Sequence, residues 1–133
     1  MELGNINFLG AIAGALSAMV IGALWYSPWM FGARWQGLIG RTDEELGNPA
    51  LAMVIAALAF VVMGAGMSWI IPDDVSVPVG IMWGFIGFWG FALPAIVVNS
   101  VFERRSWTLV GIYLGYLLIS MLVMAGLIAF LGG

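Results

Sequence analysis

The sequence contains no cysteine, histidine or lysine, so all four of its basic side chains are arginines. Without cysteine it forms no disulfide, and without cysteine and histidine it lacks the usual ligands of zinc, haem and iron–sulfur clusters. We therefore expect no metal and no other cofactor. The formal net charge of -3 offers no basic patch of the kind that binds nucleic acid, and a nucleic-acid partner is not expected.

Charged residues are scarce as well. They make up 8% of the chain, whereas apolar residues make up 63%. A typical soluble domain is about 25% charged and about 45–50% apolar. So few ionisable side chains cannot cover the apolar surface of a chain this short. We therefore expect the apolar residues to face a lipid bilayer.

Four apolar segments are each long enough to cross a bilayer, which takes roughly 20 helical residues. Prolines and charged residues separate them, as at Pro72-Asp73-Asp74. The predicted spans are residues 7–26, 49–71, 78–101 and 107–130. They predict an all-α membrane protein with one integral membrane domain, 1–133, in which a four-transmembrane-helix bundle is built from two sequential helical hairpins.

The arginines predict the orientation of these spans. Arg34 and Arg41 lie between the first and second spans, and Arg104 and Arg105 lie between the third and fourth. Basic loops remain preferentially in the cytoplasm. We therefore expect both loops to be cytoplasmic, both termini to lie outside, and the protein to reside in the cytoplasmic (inner) membrane.

Small residues recur every four positions along the first span, at Gly10, Gly14, Ala18 and Gly22. Helix association in lipid depends on close backbone approach, because no hydrophobic force acts between helices there. This stripe therefore predicts a helix-packing face. Two partners fit the pattern: another span of the same chain, or a second copy in a homo-oligomer.

The third span contains the best candidate for a polar site. Pro94 has no N–H to donate to the carbonyl of Gly90, so we expect a kink and a freed carbonyl there. Together with Asn99 and Ser100, that carbonyl is expected to line a small polar cavity. The alternative is that Asn99 hydrogen-bonds to a neighbouring helix or to lipid headgroups.

The predicted spans contain no acidic or basic residue, so groups for a proton relay or a carboxylate-coupled exchange are missing from them. A serine nucleophile needs a nearby base, and the sequence has neither a histidine nor a lysine to act as one. We therefore expect that the protein is not an enzyme.

The longest loop, residues 32–48, contains a second local signal. Thr42 and Glu45 have the spacing of a capping box, which marks the start of a helix. We expect one or two turns of surface helix to begin there.

A cluster of aromatic residues lies where the first span ends. The segment contains Trp25, Tyr26, Ser27, Pro28, Phe31, Gly32 and Trp35. Amphipathic aromatic rings are typical of the membrane–water interface. We predict a turn anchored in the headgroups, with a ligand-stacking site as the alternative.

The same segment, W-Y-S-P-x-x-F-G-x-x-W, resembles the signature of the family known as domain of unknown function 1761. Members of that family are similar to this chain over nearly its whole length. The resemblance implies a four-helix integral membrane protein of unassigned activity, and it transfers no catalytic residue.

Two functions are consistent with these observations. The leading prediction is a non-enzymatic accessory or structural membrane component that self-associates or joins a larger membrane complex. It rests on the uncharged spans and their small-residue packing faces. The alternative is a small transporter or channel for a neutral or lipid-like solute, built around Pro94, Asn99 and the glycines of the third span. The lipid bilayer is the expected surrounding in both cases, and a bound lipid is an expected partner in the alternative.

Overall fold

The computed structural model describes residues 6–132, which are helical except at the turns between helices. Four helices are long and apolar enough to cross a membrane: Phe8–Trp25, Ala50–Ile70, Val77–Phe102 and Trp107–Gly132. The predicted all-α fold with four spans is confirmed. Residues 1–5 and 133, and with them both predicted outward-facing termini, lie outside the described part of the chain.

The helices are numbered along the chain as α1 to α7. The first half contains α1 (Phe8–Trp25), α2 (Gly32–Ile39), α3 (Asp43–Leu46) and α4 (Ala50–Ile70). The second half contains α5 (Val77–Gly87), a π-helical turn (Phe88–Ala92), α6 (Leu93–Phe102) and α7 (Trp107–Gly132). The third span is therefore α5, the π-helical turn and α6 in continuous succession. In the apolar interior of a bilayer a helix pairs its backbone donors and acceptors within the segment, which explains why the spans are helical.

Side-chain caps determine where several helices begin. Ser106 Oγ accepts a hydrogen bond of 3.1 Å from the N–H of Leu109 at the start of α7. Thr42 and Glu45 form the predicted capping box, and α3 follows it. The sequence analysis expects only this helix in the loop between the first two spans, whereas the structure also contains α2.

α7 is the central helix of the bundle. α1 packs along one side of α7 and α5 along another, while α4 packs on α1 and only slightly on α7. The order across the bundle is therefore α4, α1, α7, α5. The two hairpins meet through α1 and α7, where Ala15, Ala18, Met124, Ala125 and Ile128 form most of the core cluster.

Small residues allow the packed helices to approach closely. On α1, a Cβ atom built at Gly14 would lie 2.5 Å from Cγ of Met124, and one built at Gly22 would lie 2.8 Å from the hydroxyl of Tyr116. The structure thus places the stripe of Gly10, Gly14, Ala18 and Gly22 against α7 of the same chain. On α5, Gly84 lies equally close to Ala125.

Hydrogen bonds connect the spans near both ends of the bundle. At the end that carries the 71–76 turn, the N–H of Asn7 donates to Ser68 Oγ on α4 (3.0 Å), and Asn7 Nδ2 donates to the carbonyl of Ile128 on α7 (3.4 Å). Toward the other end, the hydroxyl of Tyr116 donates to the carbonyl of Ala18 (2.7 Å). We call that other end the arginine-bearing end, because the loops with all four arginines lie there.

Candidate functional site: an open groove among the spans

The aromatic residues that end the first span pack against α7. Trp25 Nε1 donates a 3.0 Å hydrogen bond to the carbonyl of Ile112. Its indole ring covers Gly115, where an added Cβ would lie 2.7 Å from the ring. Tyr26 and Trp25 are both partly buried. Trp25 and Tyr26 therefore join α1 to α7, where the Tyr26 ring packs edge-on against Tyr116. Among the aromatic residues of this segment only Trp29, 91% exposed, is largely free of contacts.

The remaining signature residues close a compact turn between α1 and α2. The N–H of Phe31 donates to the carbonyl of Trp25 (2.9 Å), and that of Gly32 donates to the carbonyl of Ser27 (3.0 Å). A Cβ atom at Gly32 would overlap the carbonyl of Tyr26, so only glycine fits there. The ring of Trp35 packs edge-on against Tyr26, with the centroids 5.4 Å apart. The signature thus encodes a packed turn.

The three residues of the predicted polar cavity do not converge. Pro94 and Asn99 are exposed, whereas Ser100 is 1% exposed. Successive residues on an α-helix point about 100° apart. When Ser100 faces into the protein, Asn99 therefore faces away from it. Ser100 instead lines a cavity with Arg104, which lies beyond the end of the span.

The backbone irregularity predicted at Pro94 takes the form of the π-helical turn. The N–H of Leu93 donates to the carbonyl of Phe88, five residues earlier instead of four. The ring of a proline inside an α-helix clashes with the carbonyl four residues before it. A turn widened by one residue relieves that clash, and π-helical turns of this kind are one recognised origin of helix distortion.

An open, apolar groove of about 560 Å³ lies between the spans. It exists because α4 and α5 pack on different neighbours and do not pack extensively on each other. α4 forms one wall, the third span forms the other, and Met121 of α7 lies at the floor. The lining residues are Met63, Gly66, Met67, Ile70, Ile71, Trp83, Ile86, Gly87, Phe91, Ala92 and Met121.

The chemistry of the groove is nearly uniform, because every lining side chain is apolar or absent apart from the indole N–H of Trp83. Large side chains such as Trp83, Ile86 and Phe91 alternate along its walls with the small residues Gly66 and Gly87. Such a surface selects neither charged nor hydrogen-bonding solutes. It suits apolar side chains of another helix, or an acyl chain. Sequence reasoning missed the groove, although Gly66 and Gly87 on two different spans were a signal for it.

Gly66 differs from most other glycines of the spans. A Cβ atom at Gly14, Gly64 or Gly84 would lie within 3 Å of a neighbouring span, whereas one at Gly66 would meet no atom within 4 Å. Gly87, across the groove, is nearly as open: a Cβ atom built there would lie 3.5 Å from its nearest neighbour, the Cε of Met121. The groove is thus bordered by two glycines that no packing within the chain requires.

The fold defines a class of protein: a small all-α protein with four helices of membrane-spanning length and composition. A family model described as "Protein of unknown function (DUF1761)" matches residues 9–129. The chain belongs to this family, as its signature residues indicate. Neither the curated proteins nor the solved structures include a match to this chain.

Proposed function

We propose that the protein is a non-enzymatic accessory or structural membrane component that associates with a further transmembrane helix at the groove. That helix belongs either to a second copy of this chain or to a larger membrane complex. The non-enzymatic part of the proposal is supported by the lack of histidine, cysteine and lysine and by the absence of acidic and basic residues from the four spans.

The observation that carries the proposal is the open glycine pair of the groove, Gly66 and Gly87. Glycine inside a helix destabilises that helix by roughly 0.5–1 kcal/mol relative to alanine. Membrane helices tolerate it where a second helix approaches its backbone closely. Within this chain, Gly14, Gly64 and Gly84 meet that condition. A helix seated in the groove would give Gly66 and Gly87 the same kind of neighbour.

Native mass spectrometry of the protein purified in a mild detergent tests this association. Gly66→Leu fills the groove with a side chain, whereas the matched control Gly111→Leu adds one where no atom lies within 4 Å and no groove is present. We expect the wild type and Gly111→Leu to form the same oligomer or complex, and Gly66→Leu to lose it. A monomeric wild type, or a Gly66→Leu variant that assembles normally, would contradict the proposal.

A second candidate function is binding or transport of a neutral, lipid-like solute. The volume of the groove, about 560 Å³, falls within the roughly 300–1,000 Å³ of small-molecule pockets. Its predominantly apolar lining suits an acyl chain. The same experiment separates the two functions. A monomer that carries a lipid of constant mass, expelled by Gly66→Leu and retained by Gly111→Leu, would favour this candidate.

The proposal also includes the inner membrane as location, with both termini outside. Its support is the distribution of charge: Arg34, Arg41, Arg104 and Arg105 all lie in loops at the arginine-bearing end. Fusions to the C-terminus test it. Alkaline phosphatase is expected to be active there and green fluorescent protein to be dark, whereas the opposite pair of results would reverse the orientation.

A further inference from the structure

A second cavity, of about 290 Å³, lies at the arginine-bearing end, where the third span turns into α7. Its lining has two chemically different parts. Ser100, Arg104 and Arg105 form a polar, basic part, and Val101 and Trp107 form an apolar part. The cavity is separate from the groove and shares no residue with it.

Ser100 is the unusual member of this lining. It is 1% exposed, and its hydroxyl has no hydrogen-bond partner among the described residues. A buried hydroxyl left without a partner is destabilising, and native proteins seldom retain one without a reason. Ser100 is one of the residues that line this cavity. A ligand that accepts a hydrogen bond there would give its hydroxyl a partner.

The turn that follows holds the two arginines beside that hydroxyl. Arg104 has a φ of 56°, in the left-handed region that residues other than glycine seldom adopt. The N–H of Arg105 donates to the carbonyl of Ser100 (3.0 Å), which fastens the turn to the end of α6. Both arginines thereby line the cavity together with the serine.

The charges at this turn favour an anion. Arg105 forms an ion pair with Glu103, and its guanidinium lies 5.5 Å from the centre of the Tyr113 ring. Arg104 takes part in no ion pair within the described residues, 6–132. Glu103 does not line the cavity. The lining therefore combines Ser100 with two arginines, of which Arg104 has no ion pair among the described residues, and such groups match the oxygens of a phosphate group.

We infer that this cavity binds the phosphate group of an anionic phospholipid. The apolar part of the lining indicates a lipid rather than a soluble phosphate ester. Val101 and Trp107 are 53% and 68% exposed, and Phe102 beside them is 84% exposed. In a protein that spans the membrane, these side chains lie at the ends of two spans. Acyl chains can contact them while the phosphate meets Ser100 and Arg104.

Binding of phosphatidylglycerol to the full chain, purified in a neutral detergent and observed by native mass spectrometry, tests the inference. Phosphatidylcholine and inorganic phosphate serve as competing probes. Arg104→Gln is paired with Arg41→Gln, which removes the same charge from the other loop. Ser100→Ala is paired with Ser120→Ala, which removes another fully buried hydroxyl from a residue that does not line the cavity.

We expect Arg104→Gln to weaken phosphatidylglycerol binding by roughly five-fold, as for one basic residue near a membrane surface. Ser100→Ala is expected to weaken it several-fold, and both controls to bind like the wild type. Equal losses in Arg104→Gln and Arg41→Gln would reveal attraction by general surface charge and overturn the inference. An unaffected Ser100→Ala would overturn it as well. Displacement of the lipid by inorganic phosphate at equal concentration would assign the cavity to a soluble phosphate ester instead.

Discussion

Gly64 on α4 lies directly against the backbone of α1, and its replacement by alanine tests how closely these two helices pack. A Cβ atom at Gly64 would lie 2.8 Å from Cα of Ala11 and 2.9 Å from its carbonyl oxygen. Carbon atoms prefer separations of about 3.5–4.0 Å, so the helices would have to separate by about 0.7 Å. Because the atoms involved belong to the backbone, no side-chain rotation can relieve the clash.

The expected destabilisation follows from two opposing effects. Overpacking of a core costs about 1–3 kcal/mol, while the better helix propensity of alanine offsets up to about 1 kcal/mol of that. Gly64→Ala should therefore lower the free energy of unfolding by about 0–2 kcal/mol, and it should be about 1–3 kcal/mol less stable than a variant with the same change at an open position. Gly111→Ala is the control, because its added methyl group meets no atom within 4 Å. It should leave stability unchanged or raise it slightly.

Reversible unfolding by sodium dodecyl sulfate in mixed micelles, followed by circular dichroism, measures both variants. If Gly64→Ala proved as stable as Gly111→Ala, α1 and α4 would not approach each other as described. The order of helices across the bundle would then be wrong as well, and with it the origin of the groove.

Two further predictions concern hydrogen bonds between α1 and α7 and use the same unfolding measurement. Trp25→Phe removes the donor to the carbonyl of Ile112 and should lower the free energy of unfolding by about 1 kcal/mol or more. The control Trp29→Phe, at an exposed position, should leave it unchanged. Equal stabilities of the two variants would contradict the packing role of Trp25. Tyr116→Phe removes the 2.7 Å bond to the carbonyl of Ala18 and should also cost about 1 kcal/mol; an unchanged stability would mean that this bond is not formed.

The number of spans is predictable from the sequence because a bilayer imposes length and apolar composition on each one. Helix caps can be predicted from the sequence because their interactions are local. Thr42 and Ser106 each accept a hydrogen bond from a backbone N–H only three residues further along the chain. The stripe of small residues also indicates a packing face on α1. These features depend on local chemistry or on a constraint that applies to every membrane protein.

The arrangement of the spans is not predictable in the same way. Each span is apolar on all sides, so hydrophobic periodicity does not distinguish a face that contacts protein from one that contacts lipid. Ala15 is buried and the adjacent Leu16 is 64% exposed, although both are apolar. The central place of α7, the groove and the inward packing of Trp25 depend on contacts between distant residues. Nor does the sequence reveal that Ser100 is buried while Asn99 is exposed, because the orientation of α6 follows from tertiary packing.

The most direct test of the proposed association uses a photo-crosslinking amino acid in native membranes. Ile86, on the wall of the groove, is the test position, and Leu16, on an exposed face of α1, is the control. Irradiation is expected to yield a discrete cross-linked protein product from position 86, with the mass of either a dimer or a larger complex, and none from position 16. If position 86 yielded no protein product, or the same products as position 16, no helix would occupy the groove and the proposed function would be wrong.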